Sequence, residues 1–166
     1  LRAIPNVDSS AEIFNNLLAL GFDGINSFGK SRGEMLYIGK YRRIWQKAIR
    51  SIFHFISSVK FDYPKTVKHF FAPEDQWSNV FPTIMPQWDR SPRAGNYDGI
   101  YINATPENFQ AHIEDALELI SKKDDEHKIL FLRSWNEWGE GAYLEPDLRF
   151  GNGKLQVLKE ELITEV

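Results

Sequence analysis

The chain has 166 residues, 42 % hydrophobic and 26 % charged, with a formal net charge of −3 at pH 7 and no cysteine. This is enough chain for one hydrophobic core and an ordinary globular composition. It excludes the basic excess of a nucleic-acid binder, and it excludes disulfides, thiol nucleophiles and thiolate metal sites.

In chain order, Leu1-Arg2-Ala3-Ile4-Pro5 lacks a starting Met and a signal-peptide layout, and reads as cut from a longer sequence. Ser9-Ser10-Ala11-Glu12 is a capping-box pattern, followed at helical spacing by Ile13, Leu17 and Leu20 and stopped by Gly21. Residues 22–28 form a short strand candidate. Residues 29–40, with three glycines and mixed charge, read as a long loop. Residues 41–58 carry Ile44, Ala48, Ile52, Phe55 and Ile56 at helical spacing. The stretch 44–59 is also the longest apolar one, but Gln46, Lys47, Arg50 and His54 interrupt it, and no segment reaches the roughly 18 apolar residues of a membrane span.

After the break at Asp62-Tyr63-Pro64, residues 65–70 form a short helix candidate and 73–79 a loop. Residues 81–86 are strand-like and end in Gln87-Trp88-Asp89; a polar loop and a second short extended piece, 99–103, follow. Thr105-Pro106-Glu107 is a helix start, with a capping hydroxyl, a proline in the first turn and then an acid. Residues 127–132 read as the clearest buried strand, and a last helix is expected over 154–164. The basic clusters Tyr41-Arg42-Arg43 and Ser121-Lys122-Lys123 read as solvated helix ends. Strands and helices alternate, which predicts an α/β fold with a parallel sheet and a functional edge at the strand C-termini. About four strand–helix units are visible where a closed barrel needs eight. The chain is either a small open sheet or half of a barrel.

The chemistry concentrates in Ser134-Trp135-Asn136-Glu137-Trp138-Gly139-Glu140-Gly141-Ala142-Tyr143-Leu144-Glu145-Pro146-Asp147. Glu137 and Glu140 stand three residues apart, a spacing that puts two carboxyls on one side of a helix or turn. Glycosyl transfer characteristically uses two such groups, and close carboxylates push their pKa values apart so that one holds a proton while the other accepts one. Trp135 and Trp138 offer flat apolar faces to a sugar, Asn136 a hydrogen bond, and the glycines a close backbone. Tyr143 and Glu145 complete the candidate set, and Glu145 is equally explained as a turn residue beside Pro146. Trp88 and Asp89, at a strand end, are candidate substrate contacts, with a capped turn as the structural alternative. Arg90 and Arg93 are candidates for a diphosphate. Tyr101 and Asn103 are weaker candidates. His54, His69, His112 and His127 show no metal spacing, Ser134 has no nucleophile-elbow context, and no phosphate-cradling loop is present, so no cofactor is expected.

The run WNEWGEGAYLEPD resembles the signature of the WbsX-type glycosyltransferase family, itself similar to the glycoside hydrolase family 99 endo-mannosidases. The block Phe81-Pro82-Thr83-Ile84-Met85-Pro86-Gln87-Trp88-Asp89, with Arg90, Ser91 and Arg93, is similar to that family's FPxxxPxWD…R element. Gly21-Phe22-Asp23 and Thr105-Pro106-Glu107 fall in its order. The resemblance implies that the whole chain is one partial domain, the C-terminal half of a (β/α)8 barrel of the TIM type. The family's early LPQ(F/Y)H and GFTEW elements are absent, so the other barrel half is expected from missing N-terminal sequence. It further implies that Glu137 draws a proton from a sugar 2-hydroxyl and that Glu140 protonates the departing oxygen. The reaction would be retaining, through a 1,2-anhydro sugar and without metal. The substrate would be a glycan or activated sugar in bacterial surface polysaccharide (O-antigen, lipopolysaccharide) assembly, in the cytoplasm or at the inner membrane surface. The rivals are a non-catalytic carbohydrate-binding remnant and a stand-alone α/β sheet with an unrelated role.

Overall fold

The structure, a computed structural model, describes residues 10–39, 59–94 and 99–163. The helix expected over 41–58, with His54 and the first basic cluster, lies outside these residues, as does Ser9 of the capping box. The described elements are α1 (Ser10–Ala19), β1 (Ile25–Ser27), α2 (Lys30–Ile38), β2 (Lys60–Asp62), α3 (Tyr63–Val67), β3 (Val80–Ile84), α4 (Ser91–Ala94), β4 (Ile100–Ile102), α5 (Pro106–Ser121), β5 (Phe131–Leu132), β6 (Asn136–Glu137), β7 (Ala142–Tyr143) and α6 (Gly153–Leu162), with short 3-10 turns between.

The fold is mixed α/β with parallel sheets. β3 is the centre of a three-stranded parallel sheet, paired with β1 through Ile25–Val80 and with β5 through Thr83–Phe131. β2 and β4 form a separate parallel pair, and β6 and β7 an antiparallel hairpin. Among the described residues the strands form no closed barrel.

α5 follows directly from its sequence. The Thr105 hydroxyl accepts from the Asn108 N–H at 3.3 Å and Pro106 sits in the first turn. Phe109, His112, Ile113, Ala116 and Ile120 are buried along one stripe. Phe109, Ile113 and Ala116 of that stripe pack with Ile84, Leu144 and Val157 into one core cluster; each large apolar side chain so buried contributes roughly 1.5–3 kcal/mol. A second cluster, built on Phe61, Tyr63, Val67, Phe70, Met85, Trp88 and Tyr101, lies under the strand ends.

Three expectations are corrected. Residues 30–38 are a helix and not a loop: Lys30 pairs with Glu34 one turn on, at 2.6 Å, and a Cβ on Gly33 would sit 2.7 Å from both the Phe70 ring and the Thr66 carbonyl. The helix thus forms because α3 packs onto it, a tertiary cause its weak periodicity does not announce. The strand expected over 127–132 shrinks to Phe131–Leu132 behind a 3-10 turn, and Phe131 is 45 % exposed because β5 is the sheet's edge. Lys123 is no solvated helix end: it is buried, and its Nζ donates to the Val80 carbonyl, while Lys122 stays exposed.

Candidate active site

The site is assembled where β3 and β5 end. β5 prolongs its pairing by one bond, Arg133 N–H to the Ile84 carbonyl at 2.9 Å, and the chain then turns into the β6–β7 hairpin. Ser134 fastens the base of that hairpin: its hydroxyl donates to the Ala142 carbonyl at 2.5 Å and accepts from the Glu137 N–H at 3.1 Å. Between the strands, Trp138–Glu140 form a 3-10 turn closed by Gly141 in the left-handed region, φ 55°. A Cβ at Gly141 would stand 2.6–2.9 Å from the Asp89 backbone, so glycine is required twice, by conformation and by contact. The Asp89 N–H donates to the Glu140 carbonyl at 3.0 Å, which ties the segment after β3 to the turn.

The two carboxylates face one guanidinium. Arg93 Nη1 is 3.7 Å from Glu137 Oε1 and 3.6 Å from Glu140 Oε1. Glu140 is also reached by Arg90 at 3.3 Å on Oε1 and by Arg133 at 2.8 Å on Oε2. Its side chain is 11 % exposed and engaged on both oxygens, whereas that of Glu137 is 44 % exposed. The arginines are themselves 41–58 % exposed, so each pair contributes at most about 1 kcal/mol, and their role is to aim the acids. Asp89 and Ser91 hold the loop that presents Arg90 and Arg93: Asp89 Oδ1 accepts from the Ser91 N–H at 2.9 Å and its hydroxyl at 2.6 Å.

The aromatic candidates separate. Trp88 is buried at 5 % exposure, with Lys30 Nζ 4.4 Å from its ring centre and the Arg133 guanidinium at 5.5 Å; it is a platform under the arginine that holds Glu140. Trp135 is half exposed, and its carbonyl accepts from Leu144 and Glu145 N–H groups at 2.9 and 3.1 Å. Asn136 is exposed on β6, opposite Tyr143. Trp138 stacks on Tyr143 with ring centres 3.6 Å apart and donates its indole N–H to Glu145 Oε2 at 2.6 Å. Tyr101 is buried against Phe61, its hydroxyl 3.3 Å from Glu34, and Asn103 reaches Asp62 at 2.9 Å.

Beside the hairpin lies a cleft of about 490 Å³, lined by Trp138, Gly141 and Tyr143 of the hairpin, by 100–104, by Gln87, Trp88, Asp89 and Pro92 after β3, and by Asp147 and Arg149. Glu137 and Glu140 do not line it. Residue-by-residue reading missed Arg133, Ser134 and Lys154. Arg133 had a signal, a charge at a strand end next to an acid-rich turn. Lys154 had none: on the helix face it looks like any surface lysine, yet it is buried, donates to Gln87 Oε1, and burial brings its pKa down to about 8. Among the described residues no group of three His, Asp or Glu is placed to hold a metal ion, and no helix is long and apolar enough to cross a membrane.

The class these features define is an α/β protein whose polar, carboxylate-bearing site sits at the C-terminal edge of a parallel sheet. The chain belongs to the glycosyltransferase WbsX family, whose sequence model matches residues 4–158. It is thereby a member of a carbohydrate-active family. Two relatives, both described as uncharacterized protein WxcX, from Xanthomonas campestris pv. campestris strains B100 and ATCC 33913, are 32 % identical over 84 residues. The match covers 50 % of this chain and 12 % of each relative. No solved structure matches.

Proposed function

We propose that the protein transfers or cleaves glycosyl groups with Glu137 and Glu140 as its acid–base pair, as the second half of a (β/α)8 barrel whose remaining strands come from N-terminal sequence. The observation that carries this is the convergence of both carboxylates on Arg93 at the ends of two neighbouring parallel strands. Glu137, the more exposed acid, takes the proton of the sugar 2-hydroxyl as that oxygen closes on the anomeric carbon. Glu140 delivers a proton to the departing oxygen. The 1,2-anhydro sugar is then opened by an acceptor hydroxyl or by water, whose proton goes to Glu140, and the 2-oxygen recovers its proton from Glu137. Trp135, Asn136, Trp138, Tyr143 and Glu145 shape the surroundings of the sugar, and Trp88 and Asp89 support it. Family membership favours a role in bacterial surface polysaccharide assembly, on the cytoplasmic side and at the inner membrane surface.

The test is replacement of Glu140 by Gln. Turnover falls by about 10²–10⁴-fold, the usual worth of a positioned acid–base group, while the far-UV circular dichroism is unchanged; undiminished turnover ends the assignment. A second reading, a carbohydrate-binding remnant without catalysis, draws on two observations: both oxygens of Glu140 are occupied by arginine, and the cleft lies apart from the acids. Saccharide binding with no product from the unaltered protein would favour it.

A further inference from the structure

We infer that the cleft beside the Trp138–Tyr143 stack is a second saccharide subsite, which takes a neutral sugar unit adjoining the one placed at the carboxylates. This rests on the reading above that the ligand is a glycan, and adds where its neighbouring unit sits.

At about 490 Å³ the cleft falls within the roughly 300–1,000 Å³ of small-molecule sites. Its walls alternate apolar surface (Trp138, Tyr143, Ile102) with hydrogen-bonding side chains (Gln87, Asn103, Asp147). That mixture suits a pyranose, which has C–H faces and a rim of hydroxyls that both donate and accept. Two carboxylates, Asp89 and Asp147, stand against one guanidinium, Arg149, on the lining, which argues against an anionic group as the main determinant.

The lining side chains are held in place, partly by one another, as where Tyr143 bonds to Gln87 and Asp147, and partly by residues outside the cleft. Gln87 Oε1 accepts from buried Lys154, and its side chain is hydrogen-bonded to Tyr143 as well, so the amide is fixed at two points. Asn103 holds φ 61°, rare outside glycine; its side-chain N–H₂ donates to Asp62 at 2.9 Å and its carbonyl accepts from Asn108 at 2.8 Å. Trp138 is held by Glu145. Three elements far apart in sequence thus have polar or aromatic groups locked toward one space, and rotamers frozen in advance lower the cost of binding. Position completes the case: the cleft shares Trp138 and Gly141 with the turn that carries both acids, so a chain of sugars passing around Trp138 would place adjoining units in the two sites.

The experiment titrates the protein with mannotriose, maltotriose and chitotriose, read by calorimetry and by tryptophan fluorescence. Two cleft variants are compared: Ile102→Trp, which fills the cleft from a 38 % exposed position, and Arg149→Ala, at an exposed one. At least one trisaccharide binds with a dissociation constant of about 1 mM or tighter, and Ile102→Trp weakens it by about tenfold or more, with unchanged circular dichroism. Arg149→Ala weakens it less. Glu140→Gln still binds. Absence of binding for all three sugars overturns the inference, as does binding that neither cleft variant disturbs. Binding that depends on the cleft in a protein without turnover sinks the catalytic reading and leaves this one standing. Turnover that depends on Glu140 with no cleft dependence does the reverse.

Discussion

Helix α5 and the β6–β7 hairpin hold their shapes by different means. α5 buries a continuous stripe from Phe109 to Ile120, and every part of it is supported by area removed from water. The hairpin has two residues in each strand, leaves Trp135 and Trp138 about half exposed, and is kept by point contacts: one serine hydroxyl, one glycine conformation and a set of ion pairs. The first region tolerates the loss of any one contact and fails only as a whole. The second can lose its geometry at a single atom while the domain stays folded. Sites are commonly built in this second way, because a group aimed at a ligand cannot also be sealed in a core.

Acid gives the largest expected effect, and it falls on the core. His112 is buried among Tyr63, Phe70 and Phe71, and burial brings its pKa down to about 3 from an ordinary 6.5. The folded state therefore keeps it neutral where the unfolded chain binds a proton. The stabilisation is complete above pH 6.5 and is lost as the pH falls toward 3, approaching about 4–5 kcal/mol at 1.36 kcal/mol per pH unit. Asp75, whose carboxyl burial raises, offsets part of this at the acidic end. Urea denaturation at stepped pH, with His112→Phe for comparison, should show the acid sensitivity shrink in the variant. Equal sensitivity in both would remove His112 from the account.

Gly141→Ala comes next, and it strikes the hairpin. An alanine in the left-handed region costs about 1–2 kcal/mol, and the clash with the Asp89 backbone adds to it. We expect a loss of about 2–4 kcal/mol in total, together with displacement of Glu140 and a drop in turnover larger than that loss of folded protein explains. A variant with wild-type turnover would show that the close approach to Asp89 is not needed.

Smallest is Ser134→Ala. It removes two hydrogen bonds at the hairpin base, worth about 1–2 kcal/mol together. Faster amide exchange should be confined to Glu137 and its neighbours, with α5 protection unchanged. Exchange that rises equally in α5 would mean that the two regions are one cooperative unit.

What could be read in advance follows the same division. α5 was legible because Thr105-Pro106-Glu107 and a periodic stripe state it locally, and β3 because 81–86 is apolar and bounded. α2 was not, since its stability comes from α3 packing onto Gly33. The strand before the site was overread: 127–132 is apolar enough for a buried strand, but only Phe131 and Leu132 pair with β3. At the site, residue types picked out Glu137, Glu140, the tryptophans and, as diphosphate candidates, Arg90 and Arg93; that these two and Arg133 pair with the acids is visible only once β3 and β5 lie side by side. Trp88 shows the limit most clearly, because residue type alone does not reveal that one ring both lines the cleft and carries Arg133.

The most direct test of the carboxylate pair compares single and double replacements on an aryl glycoside with a dinitrophenolate leaving group and on an ordinary glycan. If Glu137 and Glu140 work as one unit, Glu137→Gln alone costs about as much as the double variant, and Glu140→Gln is far less impaired on the aryl glycoside, whose leaving group needs no proton. Independent, additive losses, with no relief from the better leaving group, would contradict that division of labour.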